Sequence, residues 1–500
     1  MKHNESMQKE KRLKKEKIRK QEVKSEQNIK PEKVPDQRKS IFNIIYIFLG
    51  LFVVMAGYYT YFITFQSDEV INNSYNKRQE VLSERIVRGD ILSADGQVLA
   101  HTKVDEEGKE TREYPFGEVY APVVGRNTKG KTGIEESENI RLLTTNINTL
   151  EVMYSDLSGT KSPGDNVVTT IDSRLQQVAY DALGNNRGAV VVLEAATGKV
   201  LAMVSRPSYD PNTIDEDWEE LVADEDDEAA LINRATQGVY PPGSTFKILT
   251  ALEYMRENPA FKKYDYDCDG SIEYDEMVIH CYNNKVHGEV DLTESFAESC
   301  NTSFANIGKG LDITSYRALA EKFLFNRGLP VNMASSVSSF SLEKGRSGIK
   351  EAMQTALGQG KTVITPLHNA MITATIANGG VMMKPYVVDH IENAEGGIVK
   401  RYSSSQIARL MTPEEVDYIG KMMRKVVTDG TATKLKKLDV EVAGKTGSAD
   451  NSKGKPHSWF VGYAPYKDPE IVVSIIVENV GTGSEYAVPI AQEIMEEYFK

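Results

Sequence analysis

The sequence predicts an α+β protein carried on a membrane anchor. Three observations predict it: an uncharged apolar run near the N-terminus, strand patterns at both ends of the long remainder, and a mostly helical pattern between them. Five hundred residues, 40% apolar and 26% charged, make an ordinary globular composition with room for more than one packed unit. Bulk disorder and a small disulfide-stapled fold are excluded. Three cysteines, Cys268, Cys281 and Cys300, are too few for a disulfide framework, and only Cys268 with Cys281 is considered as an extracellular pair.

The net charge of −13 is unevenly spread. Residues 1–39 hold 14 Lys/Arg against 7 Asp/Glu, so the chain beyond them is strongly acidic. From Ser40 to Ser67 there is no charge, and the dense apolar stretch from Ile41 to Ala56 continues through tyrosines to Phe65. This exceeds the ~20 apolar residues that cross a bilayer. It lacks the short apolar region and small-residue site of a cleaved leader. Residues 1–39 are therefore read as a basic cytoplasmic tail, solvated and near anionic lipid rather than bound to nucleic acid, and 40–66 as a single transmembrane anchor. The rest lies outside the cytoplasm by the positive-inside tendency.

Residues 67–162 mix short extended runs with charged turns, with Asp95-Gly96 marking a hairpin, and are read as a small α+β pedestal. Residues 163–500 form the larger unit. Val167–Ile171 reads as a strand, Arg174–Leu183 as a helix, and Ala189–Leu193 pairs with Val200–Val204 across Ala196-Thr-Gly198. Residues 244–432 are mostly helical in pattern. Strands return at Val440–Ser448, Ser458–Tyr463 and Ile471–Glu478, before a helix at Ile490–Tyr498. Strands at both ends are expected to share one antiparallel sheet. Asp215–Glu228, ten acidic residues in fourteen, is expected to be a solvated surface insertion.

Ser244-Thr-Phe-Lys247 is the candidate nucleophile and base, because residues three apart share a helix face and the amine can reach the hydroxyl. Ser-x-x-Lys occurs seven times, at Ser6, Ser74, Ser158, Ser244, Ser341, Ser347 and Ser452. Only Ser244 follows a rigid turn, Tyr240-Pro-Pro-Gly243, and opens an amphipathic helix, where the dipole favours developing negative charge. For Lys247 to accept a proton it must be buried or lie beside a second cation, a part suited to Lys445. Lys445-Thr446-Gly447-Ser448 ends a strand, and Gly447 is expected to let a substrate backbone approach its edge. The same letters at Lys131-Thr-Gly133 lack flanking strands. Ser299-Cys-Asn301 adds a hydroxyl to relay a proton and an amide to hold Lys247 and substrate.

This ordered set, with Ser299 fifty-five residues and Lys445 201 residues after Ser244, resembles the penicillin-binding transpeptidases, closest to the class B monofunctional, PbpA-like and division or elongation type. Asn233-Arg234-Ala235, Gly358-Gln-Gly360 with Thr365-Pro366, His457 to Pro465 and Arg88-Gly89-Asp90 also look like that family. The resemblance spans about 73–500 and implies a five-stranded antiparallel sheet flanked by helices, a helical subdomain and a small pedestal. A class A enzyme needs a glycosyltransferase domain for which the chain offers no room. The resemblance further implies that Ser244 attacks the D-Ala-D-Ala bond of a peptidoglycan stem peptide, that a second stem peptide's amine resolves the acyl-enzyme, and that β-lactams acylate the same serine. The oxyanion hole would be the N–H groups of Ser244 and Ser448. No metal or organic cofactor is implied, and the expected partner is a polytopic SEDS-type glycan polymerase.

One pattern points elsewhere. Asp265, Asp267, Asp269 and Glu276, with Gly270 and Ile272, match the EF-hand calcium loop by letters, but Pro259 interrupts an entering helix and no second hand follows. His280 and His287 are read as structural or surface residues, and Trp459 and Phe460 as core. The rival functions are a D,D-carboxypeptidase, a β-lactamase, and a non-enzymatic β-lactam receptor or division scaffold. The anchor and pedestal weigh against the first two. The small basic tail weighs against a receptor, and the complete motifs against an idle scaffold.

Overall fold

Apolar side chains without a break of charge make the first defined feature of the computed structural model. Ile41–Ile63 forms the centre of the helix Gln37–Phe65, 23 residues with a mean hydropathy of 2.2. At 1.5 Å per residue it is about 34 Å long, enough for a ~30 Å hydrocarbon core. The Lys-rich tail forms a separate polar helix, Lys2–Glu26. The structure describes residues 2–26, 37–65, 78–224, 228–451 and 454–500. The boundary at residue 67, the Ser74 and Ser452 decoys, and residues 225–227 of the acidic run lie outside the described residues. Contacts divide the chain into two units, Met1–Val70 and Ile71–Lys500.

The core of the second unit is a five-stranded antiparallel sheet in the order Ala443–Ala449, His457–Ala464, Ile471–Val477, Gly188–Glu194, Val200–Arg206. Ile471–Val477 is central, buried at every residue, and so reads as a continuous apolar run rather than an alternation. Register pairs Ile475 with Val190 and Phe460, and Phe460 with Thr446. Ser173–Leu183 and Ala487–Tyr498 pack on each other and on this sheet. The helix Pro366–Ala377 packs on its central strands and is buried from Pro366 to Ile376, so it carries almost no polar face. The Lys445 strand lies at the edge, with one side unpaired by the sheet.

A second sheet joins the segment before residue 163 to the segment after it: Asn166–Thr169 lies between Ile91–Leu92, in parallel, and Val388–Glu392, antiparallel. The Asp95-Gly96 hairpin forms as expected, with Gly96 at φ +84°. Beside it Arg88, one of the family-like residues, is buried and donates from Nε to Glu135 Oε2 at 2.6 Å. Arg112 Nε reaches Glu135 Oε1 at 2.8 Å.

Several expectations are corrected. Residues 244–432, expected to be mostly helical, also hold short strands: Asp265–Cys268 pairs with Gly288–Asp291, and Ser271–Tyr274 with Met277–His280. The EF-hand reading of Asp265, Asp267, Asp269 and Glu276 lacks its helix–loop–helix frame here, because Asp265 and Asp267 lie in a strand and Asp269 and Glu276 in turns between short strands. The Lys445 strand begins at Ala443 and excludes Val440–Val442. The acidic insertion contains the helix Ile214–Ala223, whose Ile214, Trp218 and Leu221 pack with Ala121 and Tyr209 while its carboxylates stay solvated.

Candidate active site

Rigid residues precede the serine. Pro241 and Pro242 restrict φ, Gly243 adopts φ +54°, and Gly243–Phe246 forms a 3₁₀ turn that runs into the helix Lys247–Glu257. The turn is held from outside: Trp459 Nε1 donates to Pro241 O at 3.0 Å, and Gly243 N to Gly358 O at 2.9 Å. A Cβ at Gly358 would stand 2.0 Å from Gly243 O, which accounts for a glycine in the Gly358-Gln-Gly360 stretch. Thr245 Oγ1 donates to Pro242 O at 2.8 Å and accepts from Asn369 Nδ2 at 3.1 Å.

Upstream, Glu478 collects three partners. Tyr240 OH (2.7 Å) and Arg234 Nε (2.9 Å) reach Oε1, and Arg187 Nε reaches Oε2 at 3.2 Å. Burial raises the Glu478 carboxyl, but the Tyr240 hydrogen bond and the Arg234 charge outweigh it and hold the group below its usual range. Glu478 was not singled out from the sequence. Its signal was only a charge at the end of an apolar strand, and its partners are 238 to 291 residues away.

Ser299 joins the two lysines. Lys247 Nζ donates to Ser299 O at 2.9 Å, Ser299 Oγ at 3.3 Å and Asn301 Oδ1 at 2.9 Å, while Lys445 Nζ donates to Ser299 Oγ at 3.0 Å. Both lysines are fully buried. Burial brings the Lys247 amine down to about 8. Burial, and then the charge of Lys247, hold Lys445 well below its ordinary value. Two desolvated ammoniums so close cannot both stay charged at little cost, so the pair readily gives up a proton near neutrality. Ser299 takes φ +56°, a conformation non-glycine residues avoid, and Asn301 Nδ2 donates to His280 O at 3.0 Å.

Ser244, Ser299, Asn301, Thr446, Gly447 and Ser448 line one cleft of about 1020 Å³. Ser448 O lies 2.8 Å from where a Cβ on Gly243 would be, so the edge strand and the serine turn are in contact. Gly447 has a packing role that was not expected: a Cβ there would stand 3.0 Å from Trp459 Cβ and 3.2 Å from Thr245 Cγ2. Chemically, the cleft sets the half-buried Ser244 at a helix start beside an unpaired strand edge, and Ser299 on its wall accepts from two buried amines of lowered basicity, an arrangement suited to acyl transfer.

Residues 188–496 match the model of the penicillin-binding protein transpeptidase domain, and 88–167 that of the penicillin-binding protein A dimerisation domain. The chain is 32% identical to the peptidoglycan D,D-transpeptidase PbpA of Mycolicibacterium smegmatis, over 81% of this chain and 87% of that one. It is 29% identical to the D,D-transpeptidase MrdA of Haemophilus influenzae, over 76% of this chain and 64% of that one. Among solved structures, the imipenem acyl-enzyme complex of penicillin-binding protein A from M. tuberculosis aligns with a TM-score of 0.77 at 30% identity, covering 84% of this chain and all of that one.

Proposed function

The chain belongs to the penicillin-binding protein transpeptidase family, as a membrane-anchored peptidoglycan D,D-transpeptidase, and from that premise we propose how its residues divide the work. Ser244 Oγ attacks the carbonyl carbon of the penultimate D-Ala, and Lys247 takes the hydroxyl proton. The oxyanion sits between the N–H groups of Ser244 and Ser448. Ser299, charged with a proton by Lys445, passes it to the departing D-Ala amine. Asn301 orients Lys247 and the stem peptide, while Thr446 and Gly447 offer the strand edge along which that peptide lies. The amine of a second stem peptide then displaces Ser244 and completes the cross-link. A β-lactam closes the first half of this sequence and stops there.

The observation that carries the reading is the Ser299 hydroxyl bridging two fully buried amines, at 3.0 and 3.3 Å, in the cleft that Ser244 lines. It is tested by giving the enzyme a stem-peptide mimic ending in D-Ala-D-Ala together with an added amine acceptor. Product should divide toward the acceptor as its concentration rises. Product formed by hydrolysis alone would make the protein a carboxypeptidase, and release of a bound penicilloyl group within seconds would make it a β-lactamase.

The pH dependence follows from Lys247. Its proton must be absent for it to act as base, and burial places that loss at about 8. The acylation rate constant should therefore climb as pH rises through about 8 and flatten above it, measured by stopped-flow labelling. A flat profile from pH 6 to 9 would remove Lys247 from the role of base.

The domain limits 1–39, 40–66, 67–162 and 163–500 and the orientation belong to this reading: tail in the cytoplasm, catalytic unit outside. The basic tail supports that orientation. The expected partner, a polytopic SEDS-type glycan polymerase contacting the anchor helix and the 67–162 pedestal, belongs to the same reading.

A further inference from the structure

The middle residue of Ser299-Cys300-Asn301 belongs to a group that the transpeptidase chemistry does not use. Cys268 ends the strand Asp265–Cys268, and Cys281 follows the Met277–His280 strand. His287 precedes the strand Gly288–Asp291, whose Gly288 lies opposite Cys268. Cys300 caps the helix Asn301–Gly310. Four different elements thus deliver one donor each, and the four donor atoms lie within 4.8 Å of one another. All three cysteines are buried free thiols. The expectation that Cys268 and Cys281 are the pair to consider, with His287 apart, is therefore too narrow.

The spacing has the dimensions of a metal site. Cys281 Sγ stands 3.7 Å from both Cys268 Sγ and Cys300 Sγ, and Cys268 Sγ stands 3.2 Å from His287 Nδ1. A tetrahedral zinc with ~2.3 Å bonds to sulfur separates its thiolates by about 3.8 Å, whereas a disulfide needs about 2 Å. Outer partners suit thiolates: Thr302 Oγ1 donates to Cys268 Sγ at 3.1 Å, and Ser303 N to Cys300 Sγ at 3.5 Å. Three soft sulfurs and an imidazole select zinc over calcium or magnesium, and four protein ligands leave no open position for catalysis by the metal.

We propose that Cys268, Cys281, His287 and Cys300 bind one structural Zn²⁺, and that the ion pins the Ser299–Asn301 turn from its protein side. Cys300 is held between two active-site residues. Ser299 has a left-handed backbone, and the peptide carbonyl that accepts from Asn301 belongs to His280, next to Cys281. Fixing Cys281 and Cys300 to one ion therefore fixes where Ser299 Oγ stands between the lysines. These four residues act as positioning residues.

The metal assignment is independent of the transpeptidase reading, because its first readout is metal content. The full chain, purified in detergent under reducing conditions, should carry one zinc per molecule. Replacement by Co²⁺ should give intense tetrahedral d–d bands and sulfur-to-cobalt charge transfer. His287→Ala should lose the bands, and His287→Cys, which restores a fourth ligand, should keep them with a changed spectrum, so that a folding defect in one variant does not decide the matter. Removing zinc should slow acylation by about tenfold or more, and returning it should restore the rate. Metal-free native protein that takes up neither Zn²⁺ nor Co²⁺ when reduced, or that maps to a Cys268–Cys281 disulfide, overturns the site. Acylation unchanged on zinc removal overturns the pinning of the turn.

Discussion

Ser244→Ala should abolish covalent labelling by a fluorescent penicillin while the protein stays folded. The two halves of this result have separate causes. Labelling needs the oxygen that becomes the ester, and no neighbouring group replaces it: Thr245 is buried and occupied with Pro242 and Asn369, and Ser299 sits between the two lysines. A drop of at least ~10³ in the acylation rate is expected, the scale on which nucleophile removal reads in serine enzymes. The fold should not notice, because the turn is held through Pro241, Pro242, Gly243 and Thr245 and not through the Ser244 hydroxyl. Gel fluorescence at matched times, with a melting curve for each protein, measures both. Labelling within tenfold of wild type in a variant with unchanged melting would place the nucleophile elsewhere.

Glu135→Ala should cost about 3–5 kcal/mol of unfolding free energy. Glu135 is fully buried and accepts from Arg88 and Arg112, whose side chains are each 7% exposed, and from Tyr114 OH at 3.2 Å. Removing it leaves two buried guanidinium ions without the carboxylate that both of them bond. Replacing the entire cluster by apolar residues would be far milder, since the penalty comes from the orphaned charges. Burial pushes the Glu135 carboxyl up, but the charges of Arg112 and Arg88 override it, and the group ends below its ordinary value. Its contribution is therefore present above the unfolded carboxyl range and fades as pH falls through the lower, folded value. Denaturant unfolding at pH 7 and again near pH 3 measures this. A loss under 1 kcal/mol at pH 7 would show that water already reaches the cluster.

Much of the catalytic cleft was legible because its signals are local. A proline-braced turn before an amphipathic helix distinguished Ser244 from six other serines of the same spacing. Continuous apolar runs marked Ala189–Leu193 and Ile471–Val477 as strands, and the structure buries both. Misreadings arose where a local pattern competed with distant partners. Val440–Val442 alternates like a strand but lies ahead of the pairing that starts at Ala443 opposite Tyr463. The acidic run looked fully solvated until Trp218 and Leu221, two apolar residues among many charges, found Ala121 and Tyr209. The Asp265–Glu276 letters matched a calcium loop, yet Gly288–Asp291 captured its first four residues as a strand.

By itself the sequence pointed to the apolar anchor, to Ser244 with Lys247 and Lys445 as the candidate nucleophile and amines, and to the five-stranded antiparallel sheet built from both ends of the catalytic segment, although the strand Asn166–Thr169 went to the second sheet. The anchor, the candidate serine turn and each separate strand show themselves in the periodicity, rigidity or charge of neighbouring residues. Only the tertiary structure decided that Glu478 braces Tyr240 and Arg234, that Glu135 lies between two arginines, and that three cysteines and a histidine meet behind Ser299. The physical reason is common to all three. A polar or thiol group leaves water only where other elements bring it partners, and those partners come from chain segments whose spacing carries no local signature.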